Sequence, residues 1–215
     1  MRLKHLGGVP LSVNMEAEIP ETLDVMALPG VTLFPGALLP LFIFEPRYRK
    51  MLARALGGHR MFAIGQPLSD EDESGLFATG GAGLIRACVA NPDGTSHLVL
   101  QGITRVRFAD WTTIEACRHA RVTALESSNS NPAAAQVLRG EVYSLCERLA
   151  KENEELSRMV EAFSDRSKDP AEFSDLVGAT AVRDAAIRQR LLEELDVIGR
   201  LEILAAYLTS LVGPA

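Results

Sequence analysis

The side chains best suited to covalent or metal chemistry are few and far apart. His5, His59, His97 and His119 are scattered along the chain, and no HExxH brings two of them onto one helical face. Cys117 and His119 lie two positions apart, but a metal centre needs further ligands that the local sequence does not supply. Cys88, Cys117 and Cys146 are spaced 29 residues apart twice, yet "RACVA", "EACRH" and "SLCER" share no pattern. An odd cysteine count without CxxC pairs fits small buried thiols better than a disulfide framework or a structural zinc site. Lys168 stands near Ser164 and Ser167 in "SDRSKD", which reads as a solvated loop, and no GxSxG occurs. "GGAG" at Gly80 to Gly83 partly matches a dinucleotide fingerprint, but Arg86 fills the third glycine position, and no Gly-Lys dipeptide supplies a phosphate loop. These residues assemble no nucleophile, base and oxyanion pocket. No catalytic residue, metal ligand or cofactor is expected.

A different chemistry is legible in "LFPGALLPLFIFEPRYRKML", from Leu33 to Leu52. Phe34, Phe42, Phe44 and Tyr48 stand close to Arg47, a combination able to hold apolar segments of another polypeptide and to pair with its carboxylates. The competing reading is that all four aromatics belong to the core. The core is favoured for Phe42 and Phe44, which fall in an unbroken apolar run. Phe34 and Tyr48 are evenly divided, because the Pro35-Gly36 turn beside Phe34 belongs near the surface. Arg47, Arg49 and Lys50, with Arg105 and Arg107 on one strand face, offer an alternative: contacts to nucleic acid. The charge balance weighs against it. The formal net charge is −6; the residues before Asn131 are close to neutral and the remainder carries most of the excess acid, so no basic body grips a phosphate backbone.

The elements that position these residues follow from periodicity. "TLDVMAL" (22–28) reads as a strand closed by Pro29-Gly30. "ALLPLFIF" (37–44), apolar at nearly every position, suits a strand buried on both faces, with Pro40 confining it to an edge or a bulge. "EPRYRKMLARAL" changes to helical period, with Pro46 at a tolerated first position. "RMFAIGQ" is a further strand, and the acidic run Asp70 to Glu73 is a solvated loop. From Leu76 short strands follow in quick succession. "NPDG" (91–94) makes a turn between two of them, Gly102 marks a bulge or bend, and "TIEACRHARVTALE" reads as one alternating run. Such a pattern indicates a small barrel or curled sheet. After "SSNSNP" (127–132) the period is helical to the end. Asn131-Pro132 and Asp169-Pro170-Ala171-Glu172 open helices, and the later helices are amphipathic enough to pack together and onto the sheet.

The whole is therefore expected to be α+β: a loosely held tail (1–20), a barrel-like subdomain (21–128) and a helical subdomain packed on it (129–215). The chain's 215 residues, 47% hydrophobic and 23% charged, are ordinary for a folded soluble protein. A spanning helix needs ~20 apolar residues, and the run from Leu33 stops at Glu45 after two prolines and a glycine. The N-terminal stretch is interrupted by Gly7, Gly8 and Pro10, so no secretory signal is read there and a cytoplasmic location is expected.

Three separated blocks carry a family resemblance. "VMALPGVTLFPGALLPLFIFEPRYRKML" closely resembles the opening of the N-terminal domain of Lon-type ATP-dependent proteases. "GGAGLIRACVANPDGTSHLVLQGITRVRF" resembles that domain's second signature, and "PAEFSDLVGATAVRDAAIRQRLLEELDVIGRLEILAAYL" resembles its helical close. The likeness runs from Leu23 to Leu211 with the blocks in order. It implies a PUA-like β-barrel followed by a helical bundle, and a role in binding polypeptide substrates and in assembly. The ATPase and Ser–Lys protease segments of those enzymes are not matched, so neither unfolding nor cleavage carries over. The resemblance thus implies a non-catalytic recognition or adaptor module for unfolded or partner polypeptides, with RNA binding as the alternative. A homodimer through apolar helix faces would fit the family's assembly role.

Overall fold

The computed structural model describes residues 18–69, 75–151 and 168–212. Strands come first: β1 (Thr22–Ala27), β2 (Leu38–Ile43), β3 (Met61–Gly65), β4 (Thr79–Ala90), β5 (Ser96–Ile114) and β6 (Cys117–Leu125), with α1 (Pro46–Gly57) between β2 and β3. Then come α2 (Pro132–Ala150), α3 (Pro170–Thr180), α4 (Ala185–Glu193) and α5 (Val197–Val212). The arrangement is α+β, a curled mixed sheet followed by helices. The proposed tail and the acidic run lie largely outside the described residues, as does the stretch that would continue α2 through Phe163.

β5, 19 residues long, organises the sheet. β4 runs along one of its sides; the other side is shared by β2 over the first part of β5 and β6 over the last. β1 pairs with β6 and, in parallel, with β3, which pairs with β4. The circuit β5–β4–β3–β1–β6 therefore closes on itself, which removes its edges. β2 stands outside this circuit with one side unpaired among the described residues.

The closure needs sharp bending, and Gly102 provides it. The β4–β5 register shifts beside Gly102, and a Cβ there would collide with the Phe34 carbonyl. Gly36 N donates to Gly102 O, and Gly102 N donates to Ala37 O, both at 2.9 Å, so the loop before β2 is sewn to β5 where only glycine allows the approach. The expected single run through "TIEACRHARVTALE" is corrected: Glu115 and Ala116 break it into a hairpin, with φ of 48° and 65°. A turn of this kind usually announces itself with Asn-Gly or Asp-Gly. Neither is present, so the alternation concealed it.

Alternate residues of the strands feed two cores. Leu23, Val25, Met61, Ala63, Ala82, Val106 and Ala120 form one. Met26, Phe62, Ile64, Ile85, Leu98 and Leu100 form the other, onto which α1 lays Tyr48, Met51, Leu52 and Ala55. A third core joins α2 to α5 around Phe173, Val177, Leu191, Leu201 and Leu204, and Phe34 is part of it. The helix starts follow their sequence signals: the Asn131 side chain accepts from Ala134 N, and the Asp169 side chain from Ala171 N.

Between barrel and helices lies a buried ionic knot. Arg105 of β5 reaches Asp175 of α3 through both terminal nitrogens, and its Nε donates to the Leu192 carbonyl at 3.0 Å. Arg200 of α5 lies 3.7 Å from the same carboxylate and donates to Ser174 Oγ and Ser127 Oγ, both at 3.0 Å. Burial and the neighbouring Arg105 charge pull the Arg200 guanidinium down to about 10.

Candidate functional site

β2 is corrected from a strand buried on both faces to one with a single covered face. Ile43 is buried and Leu39 and Leu41 half-buried, whereas Leu38, Pro40 and Phe42 are exposed, and Phe44 continues the bare row. A continuously apolar strand does not reveal which face is covered. The antiparallel register extends the bare row across the sheet: Phe42 sits opposite His97 and His97 opposite Val89, while Pro40 sits opposite Val99 and Val99 opposite Ala87. Phe42 stacks on His97 with ring centroids 4.7 Å apart and on Phe44 at 5.8 Å. These rows line a shallow groove of about 400 Å³, walled by Pro40, Phe42, Ala87, Val89, His97 and Val99. Phe42 is 49% exposed, Phe44 57% and Val89 64%, so the structure gathers a contiguous apolar surface where soluble proteins usually keep such residues apart.

The other aromatic candidates are elsewhere. Phe34 is wholly buried in the helical core and has no surface to give a client. Its turn is near the surface, but the ring points inward. Tyr48 is also buried, its hydroxyl donating to the Ala27 carbonyl at 3.3 Å. Arg47 stacks over the Tyr48 ring at 4.5 Å, and its Nε donates to Glu45 at 2.9 Å.

The cations considered for nucleic acid do not form one basic stripe. Arg105 is buried in the knot described above, a correction to its placement on an exposed strand face. Arg107 is exposed. Lys50 lies 3.6 Å from Glu115, and the Arg49 guanidinium covers the Gly94 turn close to Asp93. Arg54 forks onto Asp24, with His119 Nδ1 3.2 Å from the same carboxylate, and its remaining arm reaches Glu115. This network ties α1 to β1 and β6. Cys117 borders it, donating to the Arg47 carbonyl at 3.0 Å. Burial, then the Asp24 charge, pushes the Cys117 thiol up, the wrong direction for a nucleophile. Among the described residues, no group of His, Cys, Asp and Glu is arranged to hold a metal ion.

Several members of the apolar face escaped the sequence reading: Leu38, Val89, His97 and Val99. Each is ordinary in its own strand, and only cross-strand register assembles them. The bare row itself, Leu38-Pro40-Phe42-Phe44, has the two-residue period that could have found it.

The domain described as the ATP-dependent protease La (Lon) substrate-binding domain matches residues 22–210 of this chain. Among curated relatives, Lon protease 2 of Thermus thermophilus is 28% identical over 187 residues, 85% of this chain and 23% of that protein. The Lon protease of Escherichia coli K12 is 27% identical over 202 residues, 91% of this chain and 26% of that protein. This chain therefore spans about a quarter of the length of the Lon proteases it matches. Among solved structures, the N-terminal domain of Mycobacterium avium complex Lon protease aligns at a TM-score of 0.72 with 19% identity, covering 87% of this chain and 98% of that one. The Lon N-terminal domain protein of Xanthomonas campestris aligns at 0.64 with 20% identity, covering 86% and 98%. The strand circuit, the helical close and a match over nearly the whole chain have one conclusion: the protein belongs to the Lon substrate-binding domain family.

Proposed function

We propose that the protein is a recognition module that holds apolar segments of unfolded or partner polypeptides against the bare face of β2 and its neighbours, without chemistry of its own. The observation that carries this reading is the contiguous exposed surface of Leu38, Pro40, Phe42, Phe44 and Val89 on a family whose name denotes substrate binding. Apolar burial supplies the affinity, so binding tolerates salt. The free thiols of Cys88, Cys117 and Cys146 fit action in a reducing compartment, the cytoplasm, as an adaptor between client chains and a larger machine.

The test is a titration of a labelled, permanently unfolded polypeptide and a labelled RNA at low and high salt. The polypeptide is expected to bind with little salt dependence, and a Phe42→Glu, Phe44→Glu double variant to bind it about tenfold more weakly or worse. RNA binding that fades steeply with salt, with no polypeptide binding, overturns the reading in favour of a nucleic-acid module. An unaltered polypeptide affinity in the double variant removes this face from it.

A further inference from the structure

The tip of the β5–β6 hairpin and the start of α1 border a second, open hollow of about 310 Å³, lined by Arg47, Trp111, Thr112, Thr113, Ala116 and Arg118. It shares no lining residue with the apolar groove. Two guanidinium groups, two hydroxyls and an indole line it; the Arg47 Nε already donates to Glu45 at 2.9 Å, and the Thr112 hydroxyl lies 3.5 Å from the His119 carbonyl. Guanidinium and hydroxyl donors are the chemistry that recognises an oxyanion, and an indole adds an apolar platform beside it.

The backbone here is shaped against its own preferences. Between the pairs Ala109–Arg121 and Thr112–His119, two residues of β5 face one of β6, and the first of them, Asp110, has φ of 48°. This bulge carries Trp111 at the hollow, 42% exposed, with its ring 5.1 Å from Phe108. Thr113 sits directly across from Arg118, and the turn that follows holds Glu115 and Ala116 in the left-handed region. Such conformations are disfavoured and persist where surroundings enforce them, often at binding sites.

The surroundings do enforce them. Glu115 is held by Arg54 and Lys50 of α1, and the Cys117 thiol holds the Arg47 carbonyl. Both walls of the hollow are thus fixed to each other before any ligand arrives, which lowers the cost of binding.

We propose that this hollow binds an oxyanion, carboxylate or phosphate, carried on an apolar body that lies against Trp111. The proposal does not depend on polypeptide capture by the β2 face.

Trp111 is the chain's only tryptophan, so its fluorescence reports on this site alone. The probes are N-acetylphenylalanine, which carries a carboxylate; phenyl phosphate; and N-acetylphenylalaninamide, which lacks the charge. At least one oxyanion probe is expected to shift Trp111 emission saturably, and the amide to leave it unchanged; the stronger of the two anions identifies the source. Arg118→Gln and Thr113→Val, each checked for an unchanged melting transition, should weaken the response, the former by roughly tenfold or more. Phe42→Glu should titrate like the parent. No saturable response to either anion, an equal response to acid and amide, an unaffected Arg118→Gln titration or a loss in Phe42→Glu overturns the assignment.

Discussion

Phe34 and Phe42 are the same residue type in the same apolar run, and the fold uses them in opposite ways. Phe34 is a peg from the barrel into the helical core; Phe42 lies half open on the sheet. Phe34→Ala is expected to cost about 3–5 kcal/mol in a denaturant titration, and Phe42→Ala less than about 0.5 kcal/mol. Residue type and local spacing favour the reverse assignment, because burial of Phe34 is decided by helices more than a hundred positions later and exposure of Phe42 by the absence of a cover. Cys146 gives a pH prediction. Burial pushes its thiol from 9.0 up to about 12. With the folded value raised, the unfolded chain gives up the proton first, so this contribution to stability is intact below about pH 9 and drains as pH climbs toward about 12. Arg200, lowered in the fold to about 10, acts in the opposite sense above that pH. The window from about pH 9 to 10 therefore isolates thiol behaviour. Cys146→Ala should lose about 1 kcal/mol less across that unit than the parent, measured by denaturant unfolding at each pH; Cys117, also raised, keeps the variant's stability falling with pH.

Elements were legible wherever a signal is local. Pro46, Asn131-Pro132 and Asp169-Pro170 open their helices, and "NPDG" turns between β4 and β5. Two features were not legible. The covered face of β2 depends on register against β5, and the β5–β6 turn uses Glu115-Ala116, which carry no turn signature. That turn supplies its own test. Ala116 stands at φ of 65° with a Cβ that opposes it. Ala116→Gly is expected to stabilise the protein by about 1 kcal/mol in thermal or chemical unfolding; a loss of similar size would show that Ala116 packing outweighs its backbone cost. The candidate site was half legible for the same reason: the aromatics were visible in the chain, their neighbours only across strands.

At the scale of the molecule, we propose that residues 21–128 and 129–215 are subdomains of one folding unit. Support comes from Phe34 and from the Arg105–Asp175–Arg200 knot, each of which joins strands to helices. Asp175→Ala would leave two buried guanidinium groups without their carboxylate and should cost about 3–5 kcal/mol. Circular dichroism of the helices and fluorescence of Trp111 in the barrel should then melt together, at a lower temperature. Separate transitions would show two independent bodies. The open flank of β2 has a consequence of another kind. In a crowded cell, greasy strands left without a neighbour invite copies of a protein to stack into endless ribbons. Pro40, set midway along that flank, obstructs any incoming strand that would lengthen the sheet. The apolar face of β2 can thus stay bare while its flank resists templating a polymer.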